Sequence, residues 1–249
     1  MPGANASTRL RLVGKARRPA AFHEALAAEE GLRKAKGERT RVRLMASGCE
    51  LLQTTNVDSL MISRVSSQAG VAKGAFYIYF DSRSAFLEEL CREYVAYEMS
   101  TFPELDLDMD AYEMVRTIVA WYADVFRKNS GMIRCLVRMT DVEETFAELW
   151  NRRNREIADR IVSFLVSFLG IDAKDRGPLR ELVNALGDGM DQALFARHRI
   201  DDAWHHTPAK RRSFVDLHSL IIYRAAFGGD PELPKSSRFR RLVEQTGRR

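Results

Sequence analysis

The stretch from Val65 to Phe80 constrains this chain more than any other. Ile62, Val65 and Ala69 recur at helical spacing and stop at Gly70, and a second short helical pattern follows from about Ala72 to Tyr79. A glycine between two short helices lets the chain take positive φ and reverse direction, because without a Cβ it meets little steric penalty there. Two short helices crossing at such a turn form a helix-turn-helix, whose second helix fits the major groove of duplex DNA while the first lies across the backbone. Val65, Ala69 and Val71 are placed to bury against Phe76 and Phe80 and so fix the angle between the helices.

The flanking sequence supplies the rest of a small helical unit. Val42, Met45, Ala46, Cys49 and Leu52 give one amphipathic helix ahead of the motif, ended by Asn56-Val57-Asp58. Asp81 and Ser82 are good N-caps for a longer helix through Phe86, Leu87, Leu90, Tyr94 and Val95. Pro103 and the acidic run Glu104 to Asp110 form the clearest boundary. Beyond it helical periodicity recurs over 114–128, 132–140, 141–169, 178–199 and 210–227, broken by turn formers at 129–131, 170–177, 200–208 and 228–234. An all-α chain follows, with a three-helix helix-turn-helix domain ahead of a larger helical domain. The expected division is 1–36 as a basic arm with a possible extra helix, 37–102 as the DNA-binding domain, and 103–249 as the second domain.

Positive charge concentrates at the start of the chain: Arg9, Arg11, Lys15, Arg17 and Arg18 occur there without an acid, and a second cluster runs from Arg33 to Arg43. The whole chain carries a net charge of +5, which permits a polyanionic partner without demanding one. An arm of arginines ahead of a helix-turn-helix can enter the adjacent minor groove, and the other reading of residues 1–20 is a disordered start. No run approaches the roughly 18 apolar residues of a membrane span, and the N-terminus lacks the apolar core of a signal peptide, so a cytoplasmic protein is expected. The three cysteines, Cys49, Cys91 and Cys135, show no metal or disulfide spacing and read as buried thiols of a reducing compartment. Asp188, Asp191, His198, His205 and His206 match no ligand spacing, so neither metal nor cofactor is expected.

Ala69-Gly70-Val71, Lys73-Gly74, Phe76-Tyr77, Tyr79-Phe80 and Ser82-Arg83 resemble the signature of the TetR family of bacterial transcriptional regulators over roughly residues 38–100. The resemblance implies that Lys73, Gly74 and Ala75 face the major groove, that Tyr77 and Tyr79 give hydroxyl bonds to phosphate oxygens, and that Arg83 pairs with a phosphate. Ser63 and Arg64 on the first motif helix complete the expected DNA-binding set. Three departures stand out. Met61 occupies a position where many relatives place a capping Ser or Thr, with Ser59 or Ser63 as substitutes, and Ala72 and Ala75 replace residues that often carry hydroxyls. Fewer base-edge hydrogen bonds then leave sequence choice to Lys73, Arg64, thymine-methyl contact by Ala75, or DNA shape.

The resemblance further implies a homodimer, a palindromic operator and a small-molecule ligand held in the second domain. Trp121, Tyr122, Phe126, Met132, Met139, Phe146 and Trp150 are candidates to line an apolar cavity, although at helical spacing each also reads as ordinary core. Arg134, Arg138 or Glu143 are anchors for a polar ligand group or else solvated helix faces. The helices over 178–199 and 210–227 carry the expected dimer faces, centred on Leu182, Ala185, Gly189 and Ala193 and on Leu217, Leu220 and Ile221. Repression by a dimer over a promoter is the expected sign of regulation. A ligand-independent architectural DNA-binding protein is the alternative, since the motif alone speaks only for DNA. An all-α enzyme is the remaining class; no nucleophile elbow, phosphate loop or paired His-Glu zinc motif supports it.

Overall fold

Ten helices and no strand occur among the residues described by the computed structural model, which are 19–33, 35–200, 207–235, 237 and 239–246. They are α1 (Phe22–Glu30), α2 (Lys36–Thr54), α3 (Ile62–Gln68), α4 (Lys73–Tyr79), α5 (Arg83–Ser100), α6 (Ala111–Thr140), α7 (Glu144–Leu169), α8 (Arg176–Ile200), α9 (Pro208–Phe227) and α10 (Arg240–Thr246). The basic residues before Pro19 and the His205-His206 pair lie outside the described residues. No helix among the described residues is long and apolar enough to cross a membrane. The chain divides into two units: one takes the chain up to Phe102 together with Gly131–Leu149, the other Pro103–Ser130 and Trp150 onward.

In the first unit α3 ends in a Schellman motif. The Val71 N–H reaches the Ser66 carbonyl at 2.9 Å and the Gly70 N–H the Ser67 carbonyl at 3.1 Å, with Gly70 at φ +67°. That left-handed residue turns the chain from α3 into α4, the reversal expected from sequence. Ser82 caps α5 as expected, its Oγ accepting from the Ala85 N–H at 3.0 Å. Phe76, Phe80 and Phe86 form the aromatic centre, with centroids 5.3 Å apart from Phe76 to each of the others and 4.9 Å between Phe80 and Phe86. Val42, Met45, Cys49 and Leu52 of α2 are buried in the same core. The extra helix α1 also belongs to it. Phe22 and Leu26 are buried, the Phe22 ring lies 5.2 Å from that of Tyr97, and the Tyr97 hydroxyl bonds both the N–H and the carbonyl of Ala20.

The segment 131–149 closes this unit. Gly131 passes so near the end of α2 that an added Cβ would lie 2.4 Å from the Leu52 carbonyl oxygen. Arg134 donates to the Leu52 and Gln53 carbonyls at 3.2 and 3.4 Å, satisfying acceptors that the last turn of α2 cannot use itself. Ser84 of α5 donates to Glu143 at 2.6 Å, and Arg138 pairs with Asp58 at 3.3 Å. Arg134 and Glu143, expected as ligand anchors or solvated charges, therefore hold helices together. The cause is proximity in space that local spacing does not encode.

The sequence separates a helix over 114–128 from one over 132–140; the structure runs both as α6, with non-helical backbone only at Asn129 (φ −127°, ψ 24°). Asn129 is buried and its Nδ2 donates to the Val125 carbonyl at 3.1 Å, so the break becomes a kink with its polar group satisfied. The three cysteines, distant in sequence, are all buried in the first unit, with the Cys91 and Cys135 sulfurs 4.0 Å apart. Burial pushes the Cys49 thiol far up; the contact with Cys135, and then burial, does the same for Cys91. Since only the thiolate reacts, the folded protein should release no colour from DTNB while a denatured sample should titrate all three thiols. A thiol that reacts in the folded protein at the rate of a free one would mean that this core opens.

The second unit is a helical layer of the first part of α6, most of α7, and α8 to α10. Phe126 meets Phe195 of α8 edge-on at 5.0 Å, Tyr112 meets Tyr223 of α9 at 5.9 Å, and Arg116 pairs with Asp216 at 3.4 Å.

Candidate DNA interface and ligand cavity

Burial divides α4 cleanly. Phe76 faces the core, as does Phe80 just beyond the helix, while Lys73, Gly74, Tyr77 and Ile78 form an outward strip at positions i, i+1, i+4 and i+5. On α3 the buried residues are Ile62, Val65 and Ser66, leaving Ser63 and Arg64 exposed. From Ser59 to Phe80 the charged residues are Arg64 and Lys73, both positive, so the exposed face of the motif carries no acid to repel a phosphate. Met61 sits at the N-cap of α3 without a side-chain cap and Ala72 does so for α4, in keeping with the hydroxyls that the sequence lacks there.

The other candidates are placed less simply. Ala75 is half-buried. Tyr77 is 51 % exposed. Tyr79 is half-buried, its ring close enough to Gly37 at the start of α2 that an added Cβ there would meet it at 3.8 Å. Arg83 directs Nε to the Leu60 carbonyl at 3.0 Å and Nη2 to the Val57 carbonyl, so its guanidinium ties the turn before α3 to the first turn of α5. Ile78, absent from the sequence-derived set, is 77 % exposed beside Tyr77. An aliphatic side chain standing in water on the strip that carries Lys73 is the signal that could have found it.

The second unit contains a cavity of about 360 Å³ between α6, α7, α8 and α9, within the range of small-molecule sites. Its walls are mainly aliphatic, with Val115 and Val119 from α6, Ile161 and Leu165 from α7, and Leu182 and Leu186 from α8. At one level of the helices they become polar. The Tyr122 hydroxyl accepts from Arg153 Nη2 at 3.1 Å and donates to Asp191, and Arg153 Nη1 donates to Asn154 at 2.8 Å. Arg153 is 1 % exposed, with its guanidinium 4.7 Å from the Trp150 ring centroid and 5.3 Å from that of Tyr122.

Residues 44–90, which hold the end of α2, the turn, both motif helices and the start of α5, match the family model of bacterial regulatory proteins, tetR family. Over this segment the chain is similar to the TetR family. Over 171 residues it is 25 % identical to the HTH-type transcriptional regulator EthR of Mycobacterium tuberculosis, covering 64 % of this chain and 76 % of that one. Over 67 residues it is 27 % identical to the uncharacterized HTH-type transcriptional regulator YerO of Bacillus subtilis, covering 27 % and 23 %. A transcriptional regulator from Rhodococcus sp. Rha1 shares the fold with a TM-score of 0.62 at 13 % identity, over 76 % of this chain and 97 % of the other. A tetR-family regulator from Streptomyces coelicolor does so with a TM-score of 0.59 at 15 % identity, over 84 % and 96 %.

The helix-turn-helix of α3 and α4 lies within the matched residues, and the relatives are named as regulators of transcription. The seven aromatic and thioether residues proposed for a ligand site separate in the structure. Trp121 and Tyr122 line the cavity. Phe126 and Trp150 are in the same unit but not among the lining residues described, the first packed on Phe195 and the second under Arg153. Met139 and Phe146 are buried in the first unit, with Met132. Arg153 and Asp191 were not in that set. In sequence Arg153 sits within Asn-Arg-Arg-Asn-Arg and reads as a solvated face, yet it shares a helical face with Trp150 and Ile157.

Proposed function

We propose that this chain is a ligand-responsive repressor that binds a palindromic operator as a homodimer. Residues 37–102 form the DNA-binding domain, 103–249 the ligand-binding and dimerisation domain, and 1–36 a basic arm with its extra helix. The carrying observation is the acid-free outward strip of α4, with Lys73, Gly74 and Tyr77 uncovered over an aromatic core. Ser63, Arg64, Ala75 and Ile78 extend it, the last offering an apolar contact to a thymine methyl. Tyr79 and Arg83 complete the set at its edge, Arg83 chiefly by holding the turn before α3. The cavity supports a ligand-responsive regulator over an architectural protein, because a site of this size and lining has no use in DNA binding alone. Ligand and operator then favour different states of the dimer, with reciprocal coupling. Ala185, Gly189 and Ala193 of α8 and Leu217 of α9, all exposed or half-exposed, are the proposed dimer contacts, while Leu182, expected on the same face, lines the cavity.

Fluorescence anisotropy at fixed salt, with duplexes from the gene's own upstream region and scrambled duplexes of equal length, tests this reading. A preference of roughly a thousandfold for one palindromic site is expected. Lys73→Ala should weaken that binding by about 1–3 kcal/mol, and should lower the salt slope by about one if Lys73 meets a phosphate. Equal, strongly salt-dependent binding of all duplexes would instead mark an architectural protein.

A further inference from the structure

The walls of the cavity specify more than its size. Its aliphatic residues lie one to three turns along each helix from the polar level: 115–119 on α6, 157–165 on α7 and 179–186 on α8, against Tyr122, Arg153 and Asp191. Met114 and Tyr122 are eight positions apart, about 12 Å of helix, so the apolar part is long rather than round. At the polar end Arg153 and Asp191 are 1 % and 9 % exposed, and the Tyr122 hydroxyl accepts from one and donates to the other. Opposite charges already face each other there. A ligand carboxylate would meet Arg153 but also the Asp191 carboxylate, and a ligand ammonium would meet Asp191 but also the guanidinium, each adding an uncompensated charge where water is scarce. A neutral group meets no such penalty. One acceptor can take a guanidinium N–H while one donor reaches the aspartate oxygen. Among the described lining residues, the exposed charges Arg155 and Asp188 are likewise one of each sign.

We propose that the cavity takes an elongated aliphatic compound with an uncharged head that both donates and accepts hydrogen bonds, a primary amide or an alcohol, seated head-first against Tyr122, Arg153 and Asp191. The inference rests on the ligand-responsive reading above and names the class of its ligand. Trp121 lines the same cavity and sits 5.8 Å from the Tyr122 ring, so occupancy should alter indole fluorescence.

The test uses the full chain without DNA and four probes of equal chain length: decanamide, decanol, decanoate and decylamine. Binding is followed by tryptophan fluorescence and by calorimetry. Decanamide and decanol should bind saturably and at least about tenfold more tightly than the two charged probes, a margin of about 1.4 kcal/mol. Leu182→Trp, which fills the aliphatic part, should abolish binding of all four while leaving the helical circular dichroism unchanged. Asp191→Asn removes the anion and keeps an acceptor for Tyr122, so decanoate should gain at least about tenfold on that variant. Decanoate or decylamine binding the natural chain as tightly as the amide would overturn the neutral head. Failure of all four, or binding that survives Leu182→Trp, would overturn the site and its class. The ligand-responsive reading is judged separately: decanamide that binds but does not lower operator anisotropy would support the ligand class and remove that compound as the regulatory signal.

Discussion

Gly131→Ala should destabilise the first unit by about 3 kcal/mol, at the upper end of the usual effect of overpacking. The added methyl would sit 2.4 Å from the Leu52 carbonyl oxygen, 2.5 Å from its carbon and 2.7 Å from the Gln53 nitrogen. These are main-chain atoms, so no rotamer change can relieve the contact; α6 and the end of α2 must separate. Separation also lengthens the bonds from Arg134 to the Leu52 and Gln53 carbonyls and that from the Gly131 N–H to Gln53 Oε1, now 3.3 Å. In thermal melts followed by circular dichroism, the loss should appear as a fall of roughly 6–12 °C in Tm. Gly177→Ala is the control. Its added Cβ meets nothing within 4 Å and lies in a helix, where alanine is favoured, so it should melt at or slightly above the natural chain. Equal melting of the two variants would show that α6 does not approach α2 closely in solution.

That approach also marks where sequence reading stops. The helix-turn-helix was legible because its determinants are local: Val65, Ala69, Phe76 and Phe80 bury at helical spacing, Gly70 takes the left-handed turn, and Ser82 caps the next helix. The contribution of Gly131–Leu149 to the first unit was not, since Gly131 announces itself in sequence only as a breaker. There the buried packing of α6 outweighs local propensity, and Asn129 absorbs the break as a kink.

The cavity was legible in kind but not in its lining. Aromatic and thioether residues cluster in sequence over Trp121 to Trp150, but which of them reach a void depends on where it ends along each helix. Tyr122 and Phe126 share a helical face, yet one turn past the polar level Phe126 already packs on Phe195. The polar triad depends on three separate helices meeting, and no spacing rule connects residues 122, 153 and 191.

At Gly74, stability and DNA binding are expected to move in opposite directions. An added Cβ meets nothing within 4 Å, the residue is exposed on α4, and its φ is not positive, so the fold places no demand for glycine there. Alanine should therefore raise stability by up to about 1 kcal/mol through helix propensity. Glutamate should leave it unchanged or slightly higher, because an acid in the first turn of a helix is favoured by about 0.3–1 kcal/mol. If the absence of a side chain serves the approach of α4 to DNA, both gains come with a loss of operator affinity. The methyl of Gly74→Ala should weaken binding about tenfold by holding the helix away from the groove, roughly 1.4 kcal/mol. Gly74→Glu sets a carboxylate against phosphates on a face that otherwise carries only Arg64 and Lys73, and should lose a factor of at least a hundred, about 3 kcal/mol. Melting curves and operator anisotropy on the same preparations separate the two effects. Variants that melt normally and bind normally would remove the start of α4 from the DNA interface, leaving the glycine without a reason. A graded loss from alanine to glutamate with intact melting would mean that Gly74 is retained for the approach to DNA and against the preference of its own helix.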